Sequence, residues 1–228
     1  DRSVSRGLGD VYKRQVFKIL AKESLSIHEK LIVILDMGSK IQQCINTDEY
    51  DNIKSVVNDY LKEGIAHTLD ETRNLSDSGQ FEDISLQQGI RQILYPYEEM
   101  EVLNPEWEVI LKDIIDSLFE QMSDEEYNIL NEEFGTYMVS RAYEYRQLLE
   151  YLVFRYFAKS IYDYDFLGKC QMLVTNFFVI RQMDIIRWLD NHREYSFKDR
   201  MDVVHIFSRQ VAVSYTHLRA HETLSDLV

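Results

Sequence analysis

The stretch of sequence that decides the fold is residues 166–190, which read FLGKCQMLVTNFFVIRQMDIIRWLD. It contains no proline, and between Met172 and Ile180 it is uncharged and apolar on nearly every side of a helix. A helix that is apolar all round lies inside the protein. The apolar run is also far shorter than the ~20 residues that a membrane span requires. The stretch therefore predicts a long, central, buried helix, and we expect no membrane partner.

The sequence on both sides of this stretch has helical spacing as well. Apolar residues recur three and four positions apart from Ile27 to Ile45, and again from Trp107 to Phe119. The chain has only two prolines and eight glycines, and no alternating strand pattern holds for more than a few residues. We expect an all-α fold, a multi-helix globular domain of roughly eight to nine helices with no sheet.

Capping residues and helix breakers predict where these helices begin and end. Gly64 is expected to stop one helix, and Pro96 is expected to end a helix that begins near Phe81. Another helix is expected to run from Ser123 past Gly135 to about residue 160. The predicted N-caps are Ser24 or Ser26, then Thr47, Asn104 (followed by Pro105), Ser123 (in a capping box with Glu126) and Ser196.

The two ends of the chain differ in character from the interior. Residues 1–15 read DRSVSRGLGDVYKRQ and residues 213–228 read VSYTHLRAHETLSDLV. Both resemble translated sequencing-adapter sequence, which carries no information on a fold. We therefore predict that residues 1–15 and 213–228 are non-native tails with few tertiary contacts, and that residues 16–212 form the helical region.

Charge and cysteine content restrict the classes of partner. The chain carries 39 acidic and 25 basic residues, a formal net charge of −14. This balance argues against nucleic acid and anionic membranes as partners and is compatible with a lysine-bearing protein. Cys44 and Cys170 belong to no cysteine cluster, so we expect buried free thiols in a reducing compartment and no metal site. With no signal peptide at the polar N-terminus, the expected location is the cytoplasm.

Arginines within otherwise apolar segments are the candidate site residues, because a charge in such a place needs a partner. Two interpretations remain open. The arginines pair with aspartates such as Asp163, Asp165 and Asp184 in a structural network, or they face a cleft and bind a carboxylate. The candidates for substrate binding are Arg155, Arg181, Arg187, Asp202 and Arg209.

The aromatic side chains between Tyr143 and Phe166 could instead line a pocket for a cation, although packing on both faces of a helix explains them more simply. None of the motifs GxGxxG, P-loop, HExxH or GxSxG occurs. No catalytic residue can therefore be named from the sequence.

Several segments together resemble the C-terminal part of the flagellin lysine-N-methylase family. In two of them the spacing matches as well as the composition: Arg-x₅-Arg-Trp from Arg181, and Asp-x₅-Ser-Arg from Asp202. The segments are SLSIHEKLIVIL (24–35), EVLNPEW (101–107), LLEYLVFRYFAKSIYDYD (148–165), IRQMDIIRWL (180–189) and FKDRMDVVHIFSRQV (197–211).

The resemblance implies a bacterial enzyme that transfers methyl groups from S-adenosylmethionine to lysine side chains of flagellin. It also implies an iron–sulfur or metal centre, which in the family belongs to a cysteine-rich N-terminal region that this chain lacks. We expect the chain to be the helical part that positions the protein substrate, and to be inactive alone. The alternative is a non-catalytic helical module for protein interaction.

Overall fold

The computed structural model describes residues 13–62, 64–77, 84–157 and 164–214. Every regular element in these ranges is a helix, so the all-α prediction is confirmed. No helix among the described residues is both long enough and apolar enough to cross a membrane. The helices are α1 (residues 13–20), α2 (Ile27–Asn46), α3 (Ile53–Lys62), α4 (Gly64–Asp77), α5 (Leu86–Glu98), α6 (Pro105–Ile114), α7 (Asp124–Met138), α8 (Ala142–Tyr156), α9 (Phe166–Asp190) and α10 (Phe197–Ser214).

The chain divides into two compact units. The first comprises Asp1–Asp83 and Ser140–Val174, and the second comprises Ile84–Val139 and Thr175–Val228. Among the described residues, α1 to α4, α8 and the start of α9 therefore belong to the first unit. Helices α5 to α7, the rest of α9 and α10 belong to the second.

In the first unit, one carboxylate connects three helices. Asp36 on α2 accepts hydrogen bonds from Thr68 Oγ1 at 2.6 Å and from Lys40 Nζ at 3.0 Å, and also from the hydroxyl of Tyr60. Tyr60 lies on α3 and Thr68 on α4. A side-chain network thus supplements the apolar core that α2 forms with residues such as Ile34.

In the second unit, α9 carries polar groups that other helices satisfy. The Tyr97 hydroxyl donates to Asn176 Oδ1 at 2.8 Å, and the Tyr127 hydroxyl donates to Gln182 Oε1 at 2.9 Å. Buried aromatic rings lie beside the first of these contacts, with Trp107 against Tyr97 and Phe207. Helix α9 can be buried on most sides although it carries polar residues, because these side chains have hydrogen-bond partners on other helices.

The central helix is confirmed with the predicted bounds, Phe166–Asp190. The predicted N-caps of α6 and α7 are confirmed too: Asn104 accepts from the amide of Glu106, and Ser123 forms a capping box with Glu126. Of the two serines predicted to cap α2, Ser26 does so, again in a capping box. Ser196 Oγ accepts from the amide of Asp199 at the start of α10.

The predicted N-cap at Thr47 is wrong because the chain turns differently there. Thr47 is the C-cap of α2 instead of an N-cap, and its Oγ1 donates to the Gln43 carbonyl at 3.0 Å. Asp48, with a φ of 57°, then leads the chain away from α2. The predicted stop at Gly64 agrees with the end of α3 at Lys62, and Gly64 is also the first residue of α4. A Cβ there would lie 3.1 Å from the Asp59 carbonyl group.

Two more predicted ends are displaced. Pro96 lies inside α5, close enough to its end that one missing N–H is tolerated, and the N-cap of α5 is Ser85. The long helix expected from Ser123 is interrupted, because α7 ends at Met138 and the 3₁₀ turn Val139–Arg141 separates it from α8. Phe81 and residue 160 lie outside the described residues.

The predicted boundary after residue 15 does not coincide with a structural break. Helix α1 already includes residue 13, the first described residue, and Gln15 is buried because it shares a helical face with Ile19. Lys13 Nζ lies 4.3 Å from the centroid of the Phe154 ring. The expectation of few contacts is thus wrong for residues 13–15. Helix α10 likewise continues to Ser214, past the boundary at 212, while residues 1–12 and 215–228 lie outside the described residues.

Candidate functional site

Three helices of the second unit enclose a groove of about 430 Å³. Helix α6 forms one wall, the end of α9 forms the other, and α10 contributes to the floor. The groove therefore combines residues from distant parts of the sequence. Its lining residues are Pro105, Glu106, Val109, Ile110, Asp113, Ile186, Arg187, Asp190 and Ile206.

Helix α6 sets the spacing of two carboxylates on its wall. The Asn104 side chain caps the helix by accepting from the Glu106 amide at 3.2 Å, which fixes where the first turn begins. Glu106 and Asp113 lie seven residues apart, so they share one helical face at a separation of ~10.5 Å along the axis. Both are exposed, as is Val109 between them. The wall thus presents an apolar residue between two negative charges.

The floor of the groove is made of three isoleucines from three helices. Ile110, Ile186 and Ile206 have exposed fractions of 8%, 4% and 9%. Their methyl groups give an apolar surface on which an aliphatic chain can pack. The groove therefore suits a ligand with an apolar stem.

Charges on the rim favour a cationic end on that ligand. The lining residues include three carboxylates, of Glu106, Asp113 and Asp190, and one guanidinium, of Arg187. A long side chain with an apolar stem and a positive head lies naturally on apolar surface with its head among carboxylates. Lysine and arginine are the side chains that match this arrangement.

Arg187 also acts on a neighbouring carboxyl group. Burial raises the pKa of Asp199, but hydrogen bonds from Ser196 and Asn191 and the positive charge of Arg187 outweigh it. The pKa of Asp199 consequently lies below its ordinary value. Arg187 thus lies close enough to Asp199 for its positive charge to act on that carboxyl group.

Of the candidates from the sequence, the structure brings Arg187 alone to this groove. Arg181 is buried, and its guanidinium donates to the Asn131 side chain and to the Asn131 carbonyl at 3.1 Å. It also lies 5.3 Å from the centroid of the Phe134 ring. The predicted carboxylate partner of Arg181 is wrong, because a neutral amide and an aromatic face hold the guanidinium instead.

The remaining candidates lie elsewhere. Arg155 belongs to the first unit, is exposed, and donates to the hydroxyls of Tyr156 at 3.2 Å and Tyr151 at 3.4 Å. Asp202 is half-buried on α10, and Arg209 is exposed on the same helix. Neither lines the groove.

A buried ion pair that the sequence reasoning missed connects α9 and α10. Arg200 donates to Asp184 Oδ2 at 2.5 Å, and the Tyr195 hydroxyl donates to the other oxygen of Asp184. Asp184 is 0% exposed and Arg200 is 5% exposed. Asp184 was predicted as an arginine partner, but Arg200 was overlooked because it lies in the polar sequence FKDRMD. This pair fits the first of the two interpretations, in which arginines and aspartates form a structural network.

The comparison with protein families decides what kind of chain this is. The FliB lysine N-methylase C-terminal domain matches residues 13–224. The chain belongs to this family. The resemblance seen in the sequence segments is thereby confirmed, whereas the prediction that residues 213–228 are a non-native tail stays a prediction. No curated protein and no solved structure matches the chain.

The described part of this FliB-type domain does not fit the metal centre that the family resemblance implies. Cys44 and Cys170 are both buried, and burial raises the pKa of the Cys170 thiol, which opposes the thiolate that a metal needs. Within the described ranges, no three His, Cys, Asp or Glu side chains are grouped as metal ligands.

A nucleotide-type pocket for S-adenosylmethionine does not fit the described residues either. Such a pocket uses a glycine-rich turn between a strand and a helix, and the described ranges contain helices without a strand.

Proposed function

We propose that this domain holds the lysine-bearing segment of a protein substrate, flagellin by family, in the groove between α6, α9 and α10. Methyl transfer from S-adenosylmethionine then takes place with other parts of the full-length enzyme. The observation that supports the proposal is an isoleucine floor flanked by three carboxylates.

The groove fits a lysine side chain on two counts. Burying the aliphatic stem against Ile110, Ile186 and Ile206 contributes ~0.8 kcal/mol for each methylene group. The ammonium group meets Glu106, Asp113 or Asp190 at the rim, where an exposed pair contributes ~0.2–1 kcal/mol. Both terms are modest, so the groove gives a readily reversible hold on the substrate.

The charge of the whole chain supports the same proposal. A net charge of −14 raises the local concentration of cationic segments near the surface. That long-range attraction falls with ionic strength. The groove carboxylates then select the place where the lysine side chain is held.

Neutralising the α6 wall tests this function in a full-length enzyme that contains the domain. We expect Glu106→Gln/Asp113→Asn to raise the KM for flagellin about threefold to fivefold at unchanged kcat, because the ammonium group loses its rim pair on α6, which contributes up to ~1 kcal/mol. Initial rates of methyl transfer over a range of flagellin concentrations give both constants.

The matched control is Glu125→Gln/Glu132→Gln on α7. Like Glu106, Glu125 lies in the first turn of its helix, and both control residues are exposed outside the groove. The control removes the same charge and should leave KM within about twofold of the wild type. An equal rise in KM for both double variants would show that net charge, and not the groove, binds the substrate.

A further inference from the structure

We propose that Arg187 makes the groove selective for a lysine that has an acidic residue two positions away in an extended substrate segment. This inference rests on the proposed function, since it assumes that the lysine enters the groove. It adds a second requirement on the substrate, which is a carboxylate for the guanidinium.

The first step of the argument is that Arg187 is available to a ligand. It is half-buried in the groove wall, and although its charge acts on Asp199, no side-chain hydrogen bond or salt bridge engages its guanidinium among the described residues. The neighbouring carboxylate of Asp199 accepts from the Ser196 amide at 2.8 Å and from Asn191 Nδ2 at 2.9 Å. Asp199 is thus already bonded by other donors, while the five N–H donors of Arg187 remain for a substrate.

The second step concerns how the positive charge of Arg187 affects the binding of a lysine side chain in the groove. Arg187 repels an approaching ammonium group, so on its own it weakens the binding of lysine. The repulsion becomes useful when the same segment brings a carboxylate, because an arginine–carboxylate pair is a strong, directional hydrogen-bonded contact. A segment with lysine alone is then discriminated against, which is how a repulsive element produces specificity.

The third step gives the spacing. In an extended chain, residues two positions apart point to the same side and lie ~6.6 Å from each other. A lysine and a glutamate at that spacing both face the groove, one toward the carboxylates of α6 and the other toward Arg187 on α9. The preferred segments are therefore Lys-x-Glu and Glu-x-Lys, with aspartate as a shorter equivalent.

Peptide titrations of the 228-residue chain test the inference. The probes are synthetic peptides with Lys-x-Glu, Lys-x-Gln, Lys-x-Arg, Glu-x-Lys and Gln-x-Lys in one otherwise uncharged sequence, measured by calorimetry. For the wild type we expect the glutamate to tighten binding about fivefold in the preferred order, as for one charge-assisted contact. In Arg187→Gln that advantage disappears, and in Arg187→Glu a Lys-x-Arg peptide binds better than Lys-x-Glu.

Arg209→Gln is the matched control, because it removes an exposed arginine outside the groove and should keep the preference for glutamate. Thermal melting identifies any variant that fails to fold. The comparison of glutamate and glutamine peptides on the wild-type chain tests the preference for glutamate without any variant.

Two negative results are distinguishable. Equal wild-type affinity for the glutamate and glutamine peptides, combined with weaker binding of both by Glu106→Gln/Asp113→Asn, overturns the role of Arg187 and leaves the lysine groove in place. Affinities that respond to neither set of substitutions overturn the groove as well.

Discussion

At the scale of single residues, Asp184 shows how this domain holds a fully buried charge. The carboxylate receives one hydrogen bond from Arg200 and one from Tyr195, and the guanidinium of Arg200 lies 5.3 Å from the centroid of the Tyr195 ring. Each oxygen of the Asp184 carboxylate thus accepts a hydrogen bond. Removing one partner leaves a charge inside the protein, which costs far more than the loss of an exposed pair.

We predict that Arg200→Ala lowers the free energy of unfolding by ~3–5 kcal/mol, because Asp184 then stays buried without its cation. Urea denaturation followed by circular dichroism measures the change. Arg209→Ala, an exposed arginine on the same helix, should change stability by less than ~0.5 kcal/mol. An Arg200→Ala protein as stable as the wild type would contradict the structural role of the pair.

The contacts of individual side chains are the part of the site that was predicted least well from the sequence. Arginines in apolar segments can be recognised from the pattern, and Arg187 does line the groove. The pattern does not show what each guanidinium meets, however. Arg181 is held by Asn131, 50 positions away in the sequence, and only the packing of α7 against α9 brings them together.

At the scale of helices, prediction succeeded where the signal is local. The apolar content of residues 166–190 predicts α9, and a serine followed three positions later by glutamate predicts the start of α7. The sequence narrows the start of α2 to Ser24 or Ser26, and Ser26 is the N-cap. The errors at Thr47 and Pro96 are small displacements. Thr47 ends α2 instead of beginning the next helix, and α5 continues two residues past Pro96.

The junction of α2, α3 and α4 predicts a pH dependence. Burial raises the pKa of Asp36, but the hydrogen bonds from Thr68, Tyr60 and Lys40 outweigh it and hold the pKa of this carboxyl below its ordinary value. Burial and the bond to Asp36 together raise the pKa of Tyr60 to about 12. A carboxyl with a lowered pKa stabilises the fold above its unfolded-state pKa, and the stabilisation is lost as the pH falls through the folded-state value.

We therefore expect the melting temperature to begin to fall as the pH decreases below ~5. The fall should continue below pH ~3.9, the ordinary aspartate pKa, because the pKa of Asp36 lies under that value. Asp36→Asn should be less stable at pH 7 and should show a weaker fall with acid than the wild type. Melting curves between pH 7 and pH 3 provide the comparison. Asp59→Asn, an exposed change on α3, should follow the wild-type curve, and an Asp36→Asn curve parallel to the wild type would refute the assignment.

At the scale of the whole molecule, the acidic balance and the helical class follow from composition, but the groove does not. Its carboxylates come from α6 and α9 and its floor from α6, α9 and α10, which lie up to about a hundred residues apart. Seven-residue spacing of Glu106 and Asp113 indicates one face of one helix. That this face lines a groove, and does not simply meet solvent, depends on how the second unit packs.

The most direct measurement of the central claim is methyl NMR on the 27.2 kDa chain with labelled isoleucine Cδ1 groups. Ile110, Ile186 and Ile206 line the groove, and Ile34, Ile41 and Ile53 are buried reference methyls in the first unit. A lysine-containing peptide should shift the three groove methyls in proportion to its binding and leave the reference methyls in place. The same peptide with norleucine for lysine should bind more weakly. Saturation by the lysine peptide with unchanged Ile110, Ile186 and Ile206 signals would contradict the claim that this groove holds the substrate lysine.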